Sequence, residues 1–385
     1  MMLYEIANNF PHAILKAKEP PFISIYEPTV RYRPENKQNL IRYKNLIKNI
    51  EDSLKEKYPK NEIDSIMKPL YALADDEMFW VNMYDGLAVL AAGGQCVVYK
   101  LQRPVKELAV AADSFHIKPL IRIFQTADRY HVLGLNRKQF MLYEGNMYGF
   151  EEVQLDPDTP RTIEDALGID EEEVLIAPRP RTSTGGSTIF YGYDDKNELI
   201  KEDTEKFFRF IDKLVYERYS RQAQLPLLVV ALPEYYSLFK EISRNPFLIE
   251  QAVKVDYTAL TKEDLKKKIW EAIEPLYREK TKKLVERFGD AKSKGLGSDD
   301  IAKVAMAAFQ FNIDTILIEE DRIVPGKVDP LSGEIKEGNS AGSLVDDVLD
   351  DLGEMVFRNK GNIVVLPKEQ MPTGTGVAAI FKYKM

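Results

Sequence analysis

The chain has 385 residues, of which 44% are hydrophobic and 30% are charged, with a net charge of −8 and one cysteine. This length predicts two or three domains of an ordinary globular protein. No apolar run is long enough to span a membrane and no secretion signal is present, so we expect a cytoplasmic protein with no membrane partner. The single Cys96 and the three histidines predict neither a disulfide nor a metal site, and we expect no cofactor.

The acidic balance bears on nucleic-acid binding. Affinity for RNA comes largely from neutralising phosphates with Lys and Arg. A chain with a net charge of −8 is therefore not expected to bind RNA with its whole surface. A locally basic segment remains able to do so.

The first third of the chain reads as mixed α and β structure. An extended piece at 21–28 precedes helical periodicity over 39–58 and a second helix over 62–74. Two β-rich runs follow, at 85–92 and 96–102. Between them stands Gly93-Gly94-Gln95, which has the form of a hairpin turn.

The middle third begins with a segment that we interpret as three or four consecutive strands, over 120–155. An exposed loop rich in Pro, Gly, Ser and Thr covers 177–195, and an amphipathic helix covers 204–222. A strand, a helix and a short strand complete an α/β unit, at 226–232, 233–243 and 252–257.

The last third has the alternating pattern of an α/β domain. It contains a long charged helix, a second helix, a strand, a flexible stretch, a third helix and two strands, in that order. These elements are predicted over 261–292, 299–311, 313–320, 325–342, 343–358, 362–367 and 377–383.

The predicted fold class is therefore mixed α/β in three domains. An N-terminal α+β domain covers 1–117, a middle domain with a mixed sheet and a Gly-rich loop at 179–192 covers 118–259, and a C-terminal α/β domain covers 260–385. The acidic runs at 170–173 and 346–351 are interpreted as solvated faces.

The familiar catalytic motifs are missing: there is no phosphate-binding P-loop, no dinucleotide fingerprint, no His-Glu-x-x-His and no nucleophile elbow. A serine triad would have to use His12, His116 or His131. His116 and His131 are better explained as packed or surface residues than as catalytic bases.

A second glycine pair, Gly185-Gly186-Ser187, lies in the middle loop. Two glycines let the backbone approach another surface closely, and their N–H groups can bond an anion or a developing oxyanion. From 174 to 193 the only charged residues are Arg179 and Arg181, so the loop is a positive island in an acidic chain. A linker without function is the alternative.

The helix after this loop carries Arg209 and Lys213 one turn apart, with Arg218 further along. Glu205 and Glu217 are interspersed among them. A salt-bridged surface and an RNA-facing stripe both fit this pattern. The residues predicted to contact RNA are Arg179, Arg181, Thr184, Thr188, Arg209 and Lys213.

The order of segments resembles a known family. "DGLAVLAAGG", "SFHIKPL" and "RYHVLGLNRKQFMLYEGN", followed by "PRTSTGGSTIFYG" and "TEKFFRFIDKLVYERYSRQ", are similar to the first two domains of archaeo-eukaryotic class-I release factors and Pelota-like rescue factors. "KVAMAAFQFNIDTILIEE" and "GVAAIFKYKM" resemble the family's third domain, an L7Ae-like α/β sandwich. The chain also resembles the bacterial archaeo-eukaryotic release factor families.

The resemblance implies a role in translation or ribosome rescue, with the ribosome or tRNA as partner and a possible protein partner, such as a GTPase, on the C-terminal domain. In the family, Gly-Gly-Gln occupies the middle-domain loop. Here that loop reads Gly185-Gly186-Ser187, without the glutamine. Gly93-Gly94-Gln95 stands in the first domain, away from the position that the family uses.

We therefore expect an RNA- or ribosome-binding role through the middle loop, without standard Gly-Gly-Gln hydrolysis, and the case for an enzyme is weak. Two alternatives remain open: a peptidyl-tRNA hydrolase that uses Gly-Gly-Ser, and an interaction module that has kept only the fold. In a peptide-release assay, hydrolysis that is lost in Gly186→Ala would establish the hydrolase, and no hydrolysis above background would reject it.

Replacing Arg179 and Arg181 together by glutamate is expected to weaken association with ribosomes and to reduce its dependence on salt, because two phosphate contacts would be lost. Co-sedimentation with ribosomes over a salt series measures both effects. Unchanged sedimentation of the double variant would contradict the assignment of this loop as the contact.

Overall fold

A computed structural model describes residues 3–385 except 18, 32–33, 56, 126–128, 147–148, 169–192 and 339–345. The fold is mixed α/β with several mixed sheets, as predicted. It divides into two compact units, Met1–Ala127 with Glu279–Met385 (unit 1) and Asp128–Arg278 (unit 2). The three-domain division remains a prediction. Among the described helices, each is too short or too polar to cross a lipid bilayer.

The first sheet of unit 1 has the order β1-β4-β3-β2-β5, with only β1 and β4 parallel. Helices α1 to α3 pack on one face, and their apolar stripes supply most of that core. The strands are Glu5–Ile6, Phe22–Pro28, Gly86–Ala92, Gln95–Leu101 and Leu108–Ala112 (β1 to β5), and the helices are Lys37–Leu54, Lys60–Ala74 and Glu77–Val81 (α1 to α3).

The turn between β3 and β4 confirms the predicted hairpin. Gly93 and Gly94 have φ of +56° and +78°, the left-handed values that a two-residue turn requires and that glycine adopts without strain. Gln95 is the first residue of β4, pairs with Ala92 and is exposed. Turn geometry therefore accounts for this tripeptide.

Unit 2 is built on the sheet β10-β9-β6-β7-β8, in which β10, β9 and β6 run parallel. Apolar side chains from α5, α6 and α7 cover one face, and the first part of α8 covers the other. The strands are Tyr130–Leu135, Phe140–Asn146, Gly149–Glu152, Leu227–Val230 and Leu248–Val253 (β6 to β10), and the helices are Ile163–Leu167, Tyr193–Val215, Pro233–Ile242 and Lys262–Ser293 (α5 to α8).

The second sheet of unit 1 has the order β11-β16-β12-β15. Helices α9 and α10 pack on one face, and Phe288 and Ala291 of α8 pack on the other. A hairpin of β13 and β14 lies inside the stretch predicted to be flexible. The elements are Gly297–Ser298, Ile313–Glu319, Gly326–Val328, Ile335–Glu337, Asn362–Leu366 and Val377–Phe381 (β11 to β16), with Ile301–Phe309 and Val348–Arg358 (α9 and α10).

Helix α4, Lys118–Phe124, replaces the first of the strands predicted over 120–155. The run Leu-Ile-Arg-Ile-Phe is strand-like in composition, but Pro119 fits the first turn of a helix. The N–H groups of Ile117 and Lys118 donate to the two carboxylate oxygens of Asp350, at 3.0 and 2.7 Å. A side chain distant in sequence thus caps this helix, which local periodicity does not reveal. The other predicted strands of the segment form β6, β7 and β8.

The strand predicted over 252–257 is displaced along the chain. The structure places β10 at Leu248–Val253, where it pairs with β9. The N–H of Leu227 at the start of β9 donates to the carbonyl of Phe247, so pairing with β9 already begins before the predicted strand.

The acidic run at 346–351 is not a solvated face: Asp347, Asp350 and Asp351 are exposed by only 2, 2 and 6%. Burial is tolerated because each carboxylate has partners. Asp347 caps α10 and lies 2.6 Å from the Lys118 ammonium. Asp351 accepts hydrogen bonds from the Ser114 hydroxyl and from a backbone N–H. The other acidic run, at 170–173, lies outside the described residues.

The buried position changes the acidity of these groups. Burial raises the pKa of Asp350 to about 7, against the opposing effects of Lys118 and the two N–H donors. Burial likewise raises the pKa of Asp351 to about 7. Both shifts follow from the cost of removing a charged carboxylate from water.

Asp350→Ala is expected to lower the free energy of unfolding by about 2 kcal/mol, because two helix N–H groups lose their acceptor inside the protein. Urea denaturation measures the change. Asp321→Ala, which removes a carboxylate 60% exposed and paired with Lys106, serves as the control and should change stability by less than about 0.5 kcal/mol. Equal losses in the two variants would contradict the capping role.

Candidate functional site

The residues predicted for the site fall into two groups. Arg209 and Lys213 lie on α6 in unit 2, and both are exposed. The rest of the predicted set lies outside the described residues: Arg179, Arg181, Thr184, Gly185, Gly186, Ser187 and Thr188. The structure thus tests the surroundings of the helix and not of the loop.

Helix α6 forms because one face is strongly apolar. Phe207, Phe208, Ile211 and Val215 are fully buried against the sheet of unit 2. The polar face is therefore left in solvent, and it carries Arg209 and its neighbours. After Val215 the helix continues through a π-helical turn, Tyr216–Ser220, before it ends at Ala223.

The cations of this face differ in their pairing. Arg209 forms an ion pair with Glu205 one turn earlier, at 2.6 Å, and Arg218 forms one with Asp156, at 2.7 Å. Lys213 has no ion-pair partner among the residues that the structure describes. A salt-bridged surface is thus present at Arg209 and Arg218, while Lys213 is available to a ligand.

A cleft of about 380 Å³ opens beside Arg209. One wall consists of the polar face of α6, and the other consists of the end of α7 and the residues after it. Three cations and two carboxylates line it, so the local charge is positive in a chain whose net charge is −8. Its lining residues are Lys201, Glu205, Arg209, Leu238, Glu241, Ile242, Ser243 and Arg244.

Asp212 holds the second wall in place. Its carboxylate, 8% exposed, accepts a hydrogen bond from the Ser243 hydroxyl and a second from the Arg244 N–H, at 2.9 Å. The backbone of Arg244 is thereby fixed, and its exposed side chain lines the cleft opposite Arg209. No ion pair within the described part of the chain engages Arg244.

Arg244 was not predicted from the sequence. The signal that points to it is Asp212, a carboxylate beside the apolar positions Phe208 and Val215 of an amphipathic helix. A buried carboxylate requires donors, and the donors are Ser243 and Arg244. Their separation from Asp212 in sequence hides the pairing.

Of the three histidines considered as catalytic bases, His116 and His131 are packed, in agreement with the prediction that they are packed or surface residues, and His12 is partly exposed. His116 is 6% exposed and His131 is 2% exposed, and neither lines the cleft. Burial lowers the pKa of His116. The Nε2 atom of His131 lies 3.7 Å from the carboxylate of Glu144. Within the described ranges, no three His, Cys, Asp or Glu side chains form a group that would hold a metal ion.

The cleft and α6 lie in a segment that is similar to a known protein family. Residues 129–311 match the Bacterial archaeo-eukaryotic release factor family 3. The resemblance predicted from the sequence is confirmed over this family 3 segment, which contains α6, Asp212 and Arg244. No curated protein matches the chain.

Solved structures of similar proteins are distant. An archaeal translation termination factor, aRF1, is 15% identical, with 96% of this chain and 95% of that chain covered and a TM-score of 0.25. Dom34 of S. cerevisiae is 15% identical, with 70% of this chain and 67% of that chain covered and a TM-score of 0.39. Archaeal Pelota, described with ABCE1 as ribosome-bound, is 14% identical, with 79% of this chain and 74% of that chain covered and a TM-score of 0.40.

Proposed function

We propose that this protein is a release-factor-like translation factor that acts in the cytoplasm, associates with the ribosome and contacts RNA through unit 2. The observation that carries the proposal is the match of residues 129–311 to a release-factor family. The described part of that segment places a cationic cleft on α6, where the sequence predicted an RNA contact.

The cleft has the chemistry that a phosphate backbone requires. Arg209 and Arg244 face it from opposite walls, and Lys201 adds a third cation. Guanidinium groups bind phosphate with paired hydrogen bonds, which makes arginine the usual residue for this contact. Glu205 and Glu241 reduce the net charge, so we expect moderate affinity that depends on salt.

The position of the cleft supports the same role. Helix α6 begins at Tyr193, directly after the segment that carries Arg179, Arg181 and the two glycines. The cations on α6 therefore follow that segment closely along the chain. The proposed division of roles is binding by the α6 cleft and close approach by Gly185 and Gly186.

Hydrolysis is not part of the proposal. Ser187 stands where the family has glutamine, and serine offers the same backbone N–H but a shorter side chain to position water. The role that we propose instead is recognition of a ribosomal or tRNA substrate during ribosome rescue or quality control. A protein partner would bind to the C-terminal part of the chain.

Replacing Arg209 and Arg244 by glutamate is expected to lower the affinity for ribosomes at least about tenfold and to reduce the salt slope by about 1.4, the value for two lost contacts with single-stranded RNA. Quantitative co-sedimentation over a salt series measures both. Folding of the variant is checked by its thermal unfolding, and it should be retained because the Arg244 N–H still bonds Asp212.

Lys240→Glu with Arg278→Glu is the matched control. It makes the same change in net charge within unit 2, at two exposed cations that form ion pairs and do not line the cleft. Equal effects of the two double variants would mean that the loss of affinity follows from the change in net charge and not from the cleft. If neither variant affects sedimentation and purified protein carries no RNA, the interaction-module alternative is supported instead.

A further inference from the structure

The second sheet of unit 1 ends in an open edge at β15. This strand pairs with β12 on one side and is the last strand in the order β11-β16-β12-β15. The N–H of Glu320 donates to the carbonyl of Leu366, so Leu366 faces β12. Because backbone groups alternate along an edge strand, Ile363 and Val365 direct their N–H and C=O groups away from β12.

Gln125 already occupies one of these two positions. Its side-chain amide donates to the Val365 carbonyl at 3.2 Å and accepts from the Val365 N–H at 2.9 Å. The amide group thus reproduces what a neighbouring strand would offer. In the part of the chain that the structure describes, no such partner meets Ile363, two residues earlier on the same edge.

A cleft of about 610 Å³ adjoins Ile363. Three half-buried phenylalanines form its apolar floor: the ring centroid of Phe10 lies 5.9 Å from that of Phe124 and 5.8 Å from that of Phe357. Leu284 of α8 lies on the opposite wall. The volume falls in the range of sites that bind small ligands or short peptide segments.

The rim of the cleft is cationic. Lys280, Lys283 and Arg287 of α8 line one side, and no acidic residue is among the described residues that line it. Lys283 and Arg287 have partners outside the cleft, Glu279 at 3.4 Å and Asp314 at 2.6 Å, but both cations remain well exposed. An acidic ligand is therefore complementary to this rim.

We propose that this cleft docks an extended acidic peptide segment of a partner protein, which adds to β15 as a short strand. One peptide residue exchanges two backbone hydrogen bonds with Ile363. An apolar side chain of the segment lies against Phe10, Phe124 and Phe357, and its acidic side chains face α8. Gln125 ends the added strand at Val365. This site lies in unit 1 and does not depend on the proposed RNA contact.

A peptide fits the cleft better than a small anionic amphiphile such as a fatty acid. Such a molecule would satisfy the aromatic floor and the cations but would leave the N–H and C=O of Ile363 without partners. Peptide recognition by strand addition uses all three features: backbone groups give affinity, and pockets for alternate side chains give specificity. Open strand edges are otherwise covered or blocked in natural proteins.

The test uses the full-length protein and a displayed library of random ten-residue peptides. Enriched peptides should place an apolar residue between acidic ones. Fluorescence anisotropy of the synthetic peptide should then show affinity about tenfold lower for Lys283→Glu, because one cation of the rim is reversed. Lys282→Glu, the neighbouring exposed cation that does not line the cleft, should change affinity less than about twofold.

Ile363→Pro removes the outward N–H and keeps the backbone hydrogen bonds between β15 and β12. It should therefore also lower the affinity for the peptide, whereas Ile363→Val should not. If the proline variant does not fold, a peptide methylated at the paired backbone nitrogen provides the same comparison. The proposal is overturned if no peptide binds with a Kd below about 1 mM, if Lys282→Glu and Lys283→Glu act equally, or if laurate binds where peptides do not.

Discussion

The start of α4 depends on a carboxylate 233 positions later in the chain. Two helix N–H groups need acceptors inside the protein, and Asp350 supplies both. A helix of seven residues is too short to persist alone, so this cap decides that the segment is helical. The same contact explains why the acidic run at 346–351 is buried. Where the start of α4 meets the start of α10, Asp347 also lies against the Lys118 ammonium.

From this cap, α4 connects the two sheets of unit 1. Arg122, fully buried, reaches Glu320 at the end of β12, and Gln125 at the C-terminus of α4 bonds the edge of β15. The helix is long enough to cover Val365 and stops before Ile363. Helix length therefore determines which part of the strand edge is covered and which part remains open to a ligand.

The sequence predicts elements well where one face is apolar, as in α1 and α6, and where glycines mark a turn, as at Gly93-Gly94. It fails where distant side chains decide the outcome. A strand-like run at 120–124 becomes helix through Asp350. One of the three cations that line the α6 cleft is Arg244, which Asp212 positions across a large sequence separation. The exposure of Arg209 and Lys213 was predictable because both stand on the polar face of an amphipathic helix, and their contact with RNA remains a prediction.

The order of synthesis follows from the division of unit 1 between the two ends of the chain. Unit 2 is continuous and is complete once residue 278 has been made. In unit 1, in contrast, the N–H groups at the start of α4 have no carboxylate acceptor until Asp350 has been made. The apolar cluster of the first sheet likewise lacks Val365 until β15 has been made. At about 5–20 residues per second, roughly 10–50 s separate residue 128 from residue 366. Throughout that interval the apolar cluster on this face of the first sheet lacks Val365, the one fully buried residue that the C-terminal part adds to it.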